Sequence, residues 1–185
     1  MVDRGDAREA ADRLIAAFGS LAAIGAAPRR RLAALVGEPA AALVAAHRAA
    51  MLWALREPAV RGPVMATRYE LIDYLYHRMA HDPTESLRVF FLNRGRELLA
   101  EEVVARGGPD ALAVEPRQVM ARALELGATG LILVHNHPSG DPSPSLADRR
   151  FTRALAAAGE HLGVRLHDHL IVARGGTRLM EVAEG

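Results

Sequence analysis

The sequence predicts a layered α/β domain preceded by a small all-helical segment, and three observations carry that expectation. Apolar residues recur at helical spacing through residues 6–56. Pro58, Gly62 and Pro63 then interrupt the pattern. From Glu85 onward, short apolar runs alternate with amphipathic helical stretches, the order expected of an α/β layered domain. The expected division is a helical segment over 1–60 and the layered domain over 61–185, with residues 57–66 as the linker.

In the first segment, Ala10, Ala11, Leu14, Ile15 and Phe18 share one helical face, and Gly19 offers a stop. Arg29-Arg30-Arg31 open a second, short helix through Val36, and Gly37-Glu38-Pro39 turn into a longer one through Leu55. Beyond the linker, Thr67 is the expected N-cap of an amphipathic helix to about His81. Leu87, Val89, Phe90, Phe91 and Leu92 read as a buried strand, and Leu98 to Val104 as its neighbour. Pro116 suits the start of a helix through Leu126. Leu131-Ile132-Leu133-Val134 is a short apolar strand after Gly130, followed by a loop rich in Pro, Ser and Gly. A helix from Ser145 to about Leu162 and strands at Val164–Val172 and Thr177–Val182 complete the set.

Composition narrows the chemistry. The chain has no cysteine, so thiolate metal sites, cysteine nucleophiles and disulfides are excluded, and any zinc must use His and carboxylate. All 23 basic residues are Arg, which excludes Schiff-base and P-loop lysines, and a net charge of +1 predicts no broad basic field. No apolar run reaches the roughly 18 residues of a membrane span. The charged start, Met1 to Asp6, lacks the apolar core of a secretory signal. A soluble cytoplasmic protein with no membrane partner is expected.

The segment that carries chemistry runs from His135-Asn136-His137 through Ser145-Leu146-Ala147-Asp148. Two His residues two apart at a strand end point to one face. A loop with three prolines can return Asp148, in the first turn of the next helix, towards that face. Two imidazoles and one carboxylate leave a fourth position open, the arrangement of a catalytic zinc site. Ser145-x-x-Asp148 also fits a capping box, so Asp148 has a structural alternative.

His135, His137, Ser145 and Asp148 match the JAMM pattern: H-x-H, seven residues, S, two residues, D. From about Glu85 to Ala173 the chain resembles the RadC-like family of bacterial JAMM-motif (MPN-plus, JAB) proteins. Val114-x-Pro116-Arg117, Ala123-Leu124-Glu125-Leu126 and Asp168-His169-Leu170-Ile171-Val172 add to the match. The chain reads Gly107-Gly108 where the family usually has Gly-Thr, and Glu115-Pro116-Arg117-Gln118 where it has His-Pro-Arg-Glu. The resemblance implies an MPN/JAB-type central sheet flanked by helices and a zinc-dependent metallopeptidase or isopeptidase acting on a peptide or protein. It further implies Glu85 as the general base, with Glu97, Glu101 and Glu102 as rivals. It implies Ser145 as the hydroxyl that steadies the oxyanion. His169 matches the family's Asp-His pair and is expected near the site, and His167 is expected to be exposed.

The resemblance also places a helix-hairpin-helix module in residues 1–60. Such a module needs a Gly-x-Gly turn to approach phosphate. Here Gly37 is followed by Glu38, which repels phosphate, and Pro39, which lacks an N–H donor. Nine Arg against six acids through Arg61 is a slight excess, so DNA is expected to bind weakly at most. A nucleic-acid-associated protein or nuclease, and a non-catalytic MPN scaffold, are the alternative functions.

Overall fold

The computed structural model describes residues 4–64, 68–107, 114–180 and 182. The chain divides into two compact units, residues 1–55 and 56–185. The first contains α1 (Arg4–Phe18), α2 (Leu21–Ala26), α3 (Arg29–Val36) and most of α4 (Glu38–Val60). Leu14, Ile24, Leu32 and Ala41 form its core, with Phe18, Val36 and Val44 against them. The six-residue α2 is too short to show a periodicity in sequence. Its N-cap is Ser20, whose Oγ accepts from the Ala23 N–H at 3.1 Å. Gly37, at φ +80°, ends α3, and Pro39 falls in the first turn of α4, where a missing N–H costs nothing. Arg29 pairs with Glu38, and the Arg31 guanidinium lies 5.2 Å from the centre of the Phe18 ring.

Residues 57–66 do not form the expected linker at their start, because α4 continues through Pro58 to Val60. Two anchors hold this last turn. Ala59 is fully buried, and Arg56 Nε donates to Glu101 Oε2 at 3.2 Å. Pro58 costs the helix one hydrogen bond, and these contacts offset the loss. The expected cap at Thr67 lies outside the described residues.

The second unit is a five-stranded mixed sheet with helices, the layered architecture expected. After α5 (Arg68–Met79) come β1 (Glu85–Leu92), β2 (Leu98–Gly107), α6 (Pro116–Glu125), β3 (Gly130–Asn136), α7 (Leu146–Leu162), β4 (Arg165–Ala173) and β5 (Gly176–Met180). The spatial order is β2-β1-β3-β4-β5. β3 and β4 are parallel and joined through α7, and the other pairs are antiparallel. Val89, Phe91, Leu131 and Leu133 form one face of the central strands and pack with Val119, Met120, Ala123 and Leu155 of α6 and α7. Phe90, Ile132 and Val134, on the alternate positions, are just as buried. Both faces are therefore covered, which is why β1 and β3 read as unbroken apolar runs. α5 buries Leu71, Tyr74, Leu75 and Met79 and packs on β4 and β5.

Two glycines allow close approaches. A Cβ on Gly159 of α7 would lie 2.1 Å from the Val164 carbonyl oxygen, and one on Gly130 would lie 2.6 Å from His167 Nε2. His167 is thus half-buried over β3 and not the exposed strand residue expected.

Candidate metal centre

Strand register builds the site. Leu87 is opposite His135 and Ser86 opposite Asn136. With a side-chain period of two, Glu85, Leu87 and His135 share the face that continues Val89, Leu131 and Leu133, the face covered by α7. β4 adds His169 in register with Leu133. The four charged or ring groups Glu85, His135, His137 and Asp148 converge at this end of the sheet, and their side chains are nearly buried.

Their contacts are specific. His135 Nε2 lies 2.7 Å from Glu85 Oε1, and His135 Nδ1 lies 2.9 Å from Asp148 Oδ1. His137 Nε2 is 3.5 Å from Asp148 Oδ2. His137 Nδ1 is 2.9 Å from the Asp141 carbonyl, to which it donates, so Nε2 is left to face the site. The His135 and His137 rings meet edge to face, 4.9 Å between centres. Each of Glu85, His135 and His137 offers a donor atom within 4.8 Å of the other two. This donor set could hold a metal ion. It joins imidazole nitrogen to carboxylate oxygen, and the His137 imidazole is held by its second nitrogen.

The structure brings together all five residues singled out by sequence. Glu85 is within hydrogen-bond reach of His135, while Asp148 sits on the other ring nitrogen. Asp148 also serves the capping box in full: its Oδ2 accepts from the Ser145 N–H and hydroxyl, both at 2.7 Å, and the Asp148 N–H donates to Ser145 Oγ at 3.1 Å. The structural and chemical readings of Asp148 therefore coexist. Burial pushes its carboxyl pKa up, but hydrogen bonds from His135, His137 and Ser145 outweigh that and hold it well below the usual carboxylate range. The bond to Asp148 in turn raises the pKa of His137.

The rival carboxylates lie elsewhere. Glu101 accepts from Arg56, Arg88 and Tyr74, Glu102 pairs with Arg122, and Glu97 accepts from Asn93.

Two supporting residues, Asn136 and Thr152, escaped the sequence reading. Asn136, between the two His on the opposite face, accepts from the Ser86 N–H and hydroxyl at 2.9 and 2.8 Å and donates to the Thr84 carbonyl at 3.1 Å. It thereby fixes the segment that carries Glu85. The one signal in sequence is a polar residue at the end of an apolar run. Thr152 donates to the Asp148 carbonyl at 2.6 Å and lies 2.7 Å from Nδ1 of His169. With the Thr152 proton on Asp148, His169 Nδ1 is the donor to Thr152. His169 was expected near the site, but not its buried place behind α7. Burial pushes its pKa down to about 4, and its Nε2 has no hydrogen-bond partner among the described residues.

Two cavities meet here. An inner one of about 140 Å³ is lined by Leu87, His135, Phe151 and His169 among others. An outer groove of about 620 Å³ runs past His137, Pro138, Thr84 and Gly107. Glu85 and Ser145 border both.

Residues 65–183 match the family described as the RadC-like JAB domain. The chain is similar to a UPF0758 protein of Rhodobacter capsulatus, with 45% identity over 174 residues that cover 93% of this chain and 81% of that protein. It is 42% identical over 180 residues to a UPF0758 protein of Ruegeria pomeroyi, covering 94% of this chain and 78% of that protein.

Proposed function

The chain belongs to the RadC-like JAB-domain family, and on that premise we propose that it is a zinc-dependent hydrolase that cleaves an amide bond in a peptide or protein. The observation that carries this reading is the convergence of Glu85, from β1, on a pair of His residues fifty positions away at the end of β3. His135, His137 and Asp148 would hold the metal. Zinc, when bound, supplies a Lewis acid that lowers the pKa of water and polarises a carbonyl. Glu85 borders both cavities and takes the proton of the attacking water, then delivers it to the departing amine. The outer groove receives the chain to be cut. Ser145 Oγ donates to the developing oxyanion. That hydroxyl has one proton, now on Asp148 Oδ2, so the oxyanion role requires it to rotate away from the cap.

A second reading rests on the 4.8 Å donor group. In it Glu85 is the third ligand, and Asp148 orients His135 from its other nitrogen, as carboxylates commonly do behind a ligating imidazole. Glu85→Gln separates the two. Under the first reading the variant keeps one zinc per chain by elemental analysis and loses about 10²-fold or more in peptide-library turnover. Loss of zinc from Glu85→Gln, with zinc retained by Asp148→Asn, transfers the ligand role to Glu85. A parent protein that binds no zinc after incubation with it removes both readings.

A further inference from the structure

Leu146, Arg149, Arg150 and Arg153 follow one another along α7 at i, i+3, i+4 and i+7, so they form one face of the helix. All four are exposed, and Leu146 exposes 74% of its surface. Asp148, the one acid in the first two turns, is buried against His135, and the next carboxylate on α7 is Glu160. The guanidinium groups of Arg149, Arg150 and Arg153 have no ion-pair or hydrogen-bond partner among the described residues, in contrast to those of Arg56, Arg68, Arg88 and Arg122.

This arrangement is unfavourable in isolation. Arg149 and Arg153 are like charges at i, i+4, and cations near the start of a helix oppose its dipole. An anionic partner relieves both. The stripe lies on the solvent side of α7, turned away from buried Asp148, Thr152 and Leu155, and it starts at Leu146, the residue after Ser145 of the site. A phosphate backbone gains nothing from Leu146, whereas a peptide can set an apolar side chain on it. Leu146 and Arg153 are about 10 Å apart along the helix axis, from a rise of about 1.5 Å per residue. An extended peptide covers that span in about three residues.

We propose that this face of α7 is a docking surface, outside the cleft, for an extended acidic stretch of the peptide or protein substrate in which an apolar side chain lies within three positions of the acidic residues. The inference rests on the hydrolase reading for the word substrate, and on the arginine stripe alone for binding.

Fluorescence anisotropy of the full chain with labelled peptides reads binding without turnover. The probes carry Leu followed by three Glu, three Gln or three Arg, and a thymidine oligonucleotide serves as the nucleic-acid control. The Glu peptide is expected to bind about tenfold tighter than the Gln peptide at low salt, the sum of three exposed ion pairs. That advantage should shrink at high salt. Charge reversal by Arg149→Glu, Arg150→Glu and Arg153→Glu should pass the preference to the Arg peptide. The positions are exposed, and circular dichroism checks that the variant is folded. Equal binding of the three peptides, or a preference untouched by charge reversal, overturns the proposal, as does tighter binding of the oligonucleotide through the same arginines. Peptide cleavage that ignores acidic residues would refute the docking role and keep the hydrolase reading. Arginine-dependent binding without any cleavage supports the surface and counts against that reading.

Discussion

Replacing Asp148 with Asn separates two roles that one carboxylate holds. Its Oδ2 accepts both Ser145 hydrogen bonds at 2.7 Å, and its Oδ1 lies 2.9 Å from His135 Nδ1. Asn has the same shape, and its amide oxygen can keep the Ser145 bonds, now as neutral ones. Its NH2 must then face His135, where it can only donate. A hydrogen bond to a charged group contributes about 1.5–3 kcal/mol against about 0.5–1.5 for a neutral one. The swap should therefore cost the metal-free protein about 1–3 kcal/mol, seen as a fall in Tm of roughly 5–10 °C for a unit of this size. Ser145→Ala, which removes the hydroxyl of the cap and leaves the His135 contact, should cost about 1 kcal/mol. Zinc affinity, read by competition with a chromophoric chelator, distinguishes a ligand from an orienting group. Loss of an orienting partner weakens binding about 10–100-fold, so a larger loss in Asp148→Asn marks a ligand. If zinc affinity stays within a few-fold of the parent while Tm falls by the expected amount, Asp148 is a helix cap alone and the metal assignment fails.

Asn136→Ala strips partners from buried Ser86 and from the Thr84 carbonyl and should cost about 2–4 kcal/mol in denaturant unfolding. It should also lower kcat more than tenfold, because Glu85 loses its fixed position; an unchanged kcat would refute the positioning role. The pKa of His169 is depressed from its ordinary value near 6.5 to about 4. The unfolded chain therefore takes up this proton first, and the stabilisation is complete above about pH 6.5 and lost as pH falls towards 4. Roughly 3 kcal/mol of the acid sensitivity of the metal-free protein should belong to this one group. His169→Gln melts across pH 4–7 should flatten accordingly, and an undiminished slope would assign the effect elsewhere. Gly159→Ala should lower stability by about 2 kcal/mol or more in thermal melts despite the helix propensity of Ala, because its Cβ would meet the Val164 carbonyl oxygen at 2.1 Å.

What the sequence alone determined is what short-range geometry encodes. A period of two puts His135 and His137 on one face, Ser145-x-x-Asp148 starts α7, and Pro116 starts α6. Apolar runs marked β1 and β3 as buried strands, and the spacing from His135 to Asp148 was enough to recognise the family. Helix α2 was too short for periodicity, and the end of α4 was misplaced because local rules stop a helix at Pro58, whereas burial of Ala59 and the Arg56–Glu101 pair carry it on. The tertiary structure decided which carboxylate reaches the histidines and what holds it there. Glu85 meets His135 through the antiparallel register of β1 on β3, and Asn136 fixes that register at the strand ends. His169 arrives from β4 through the parallel pairing. Strand register over fifty residues depends on the packing of both sheet faces, so no local pattern in the chain records it.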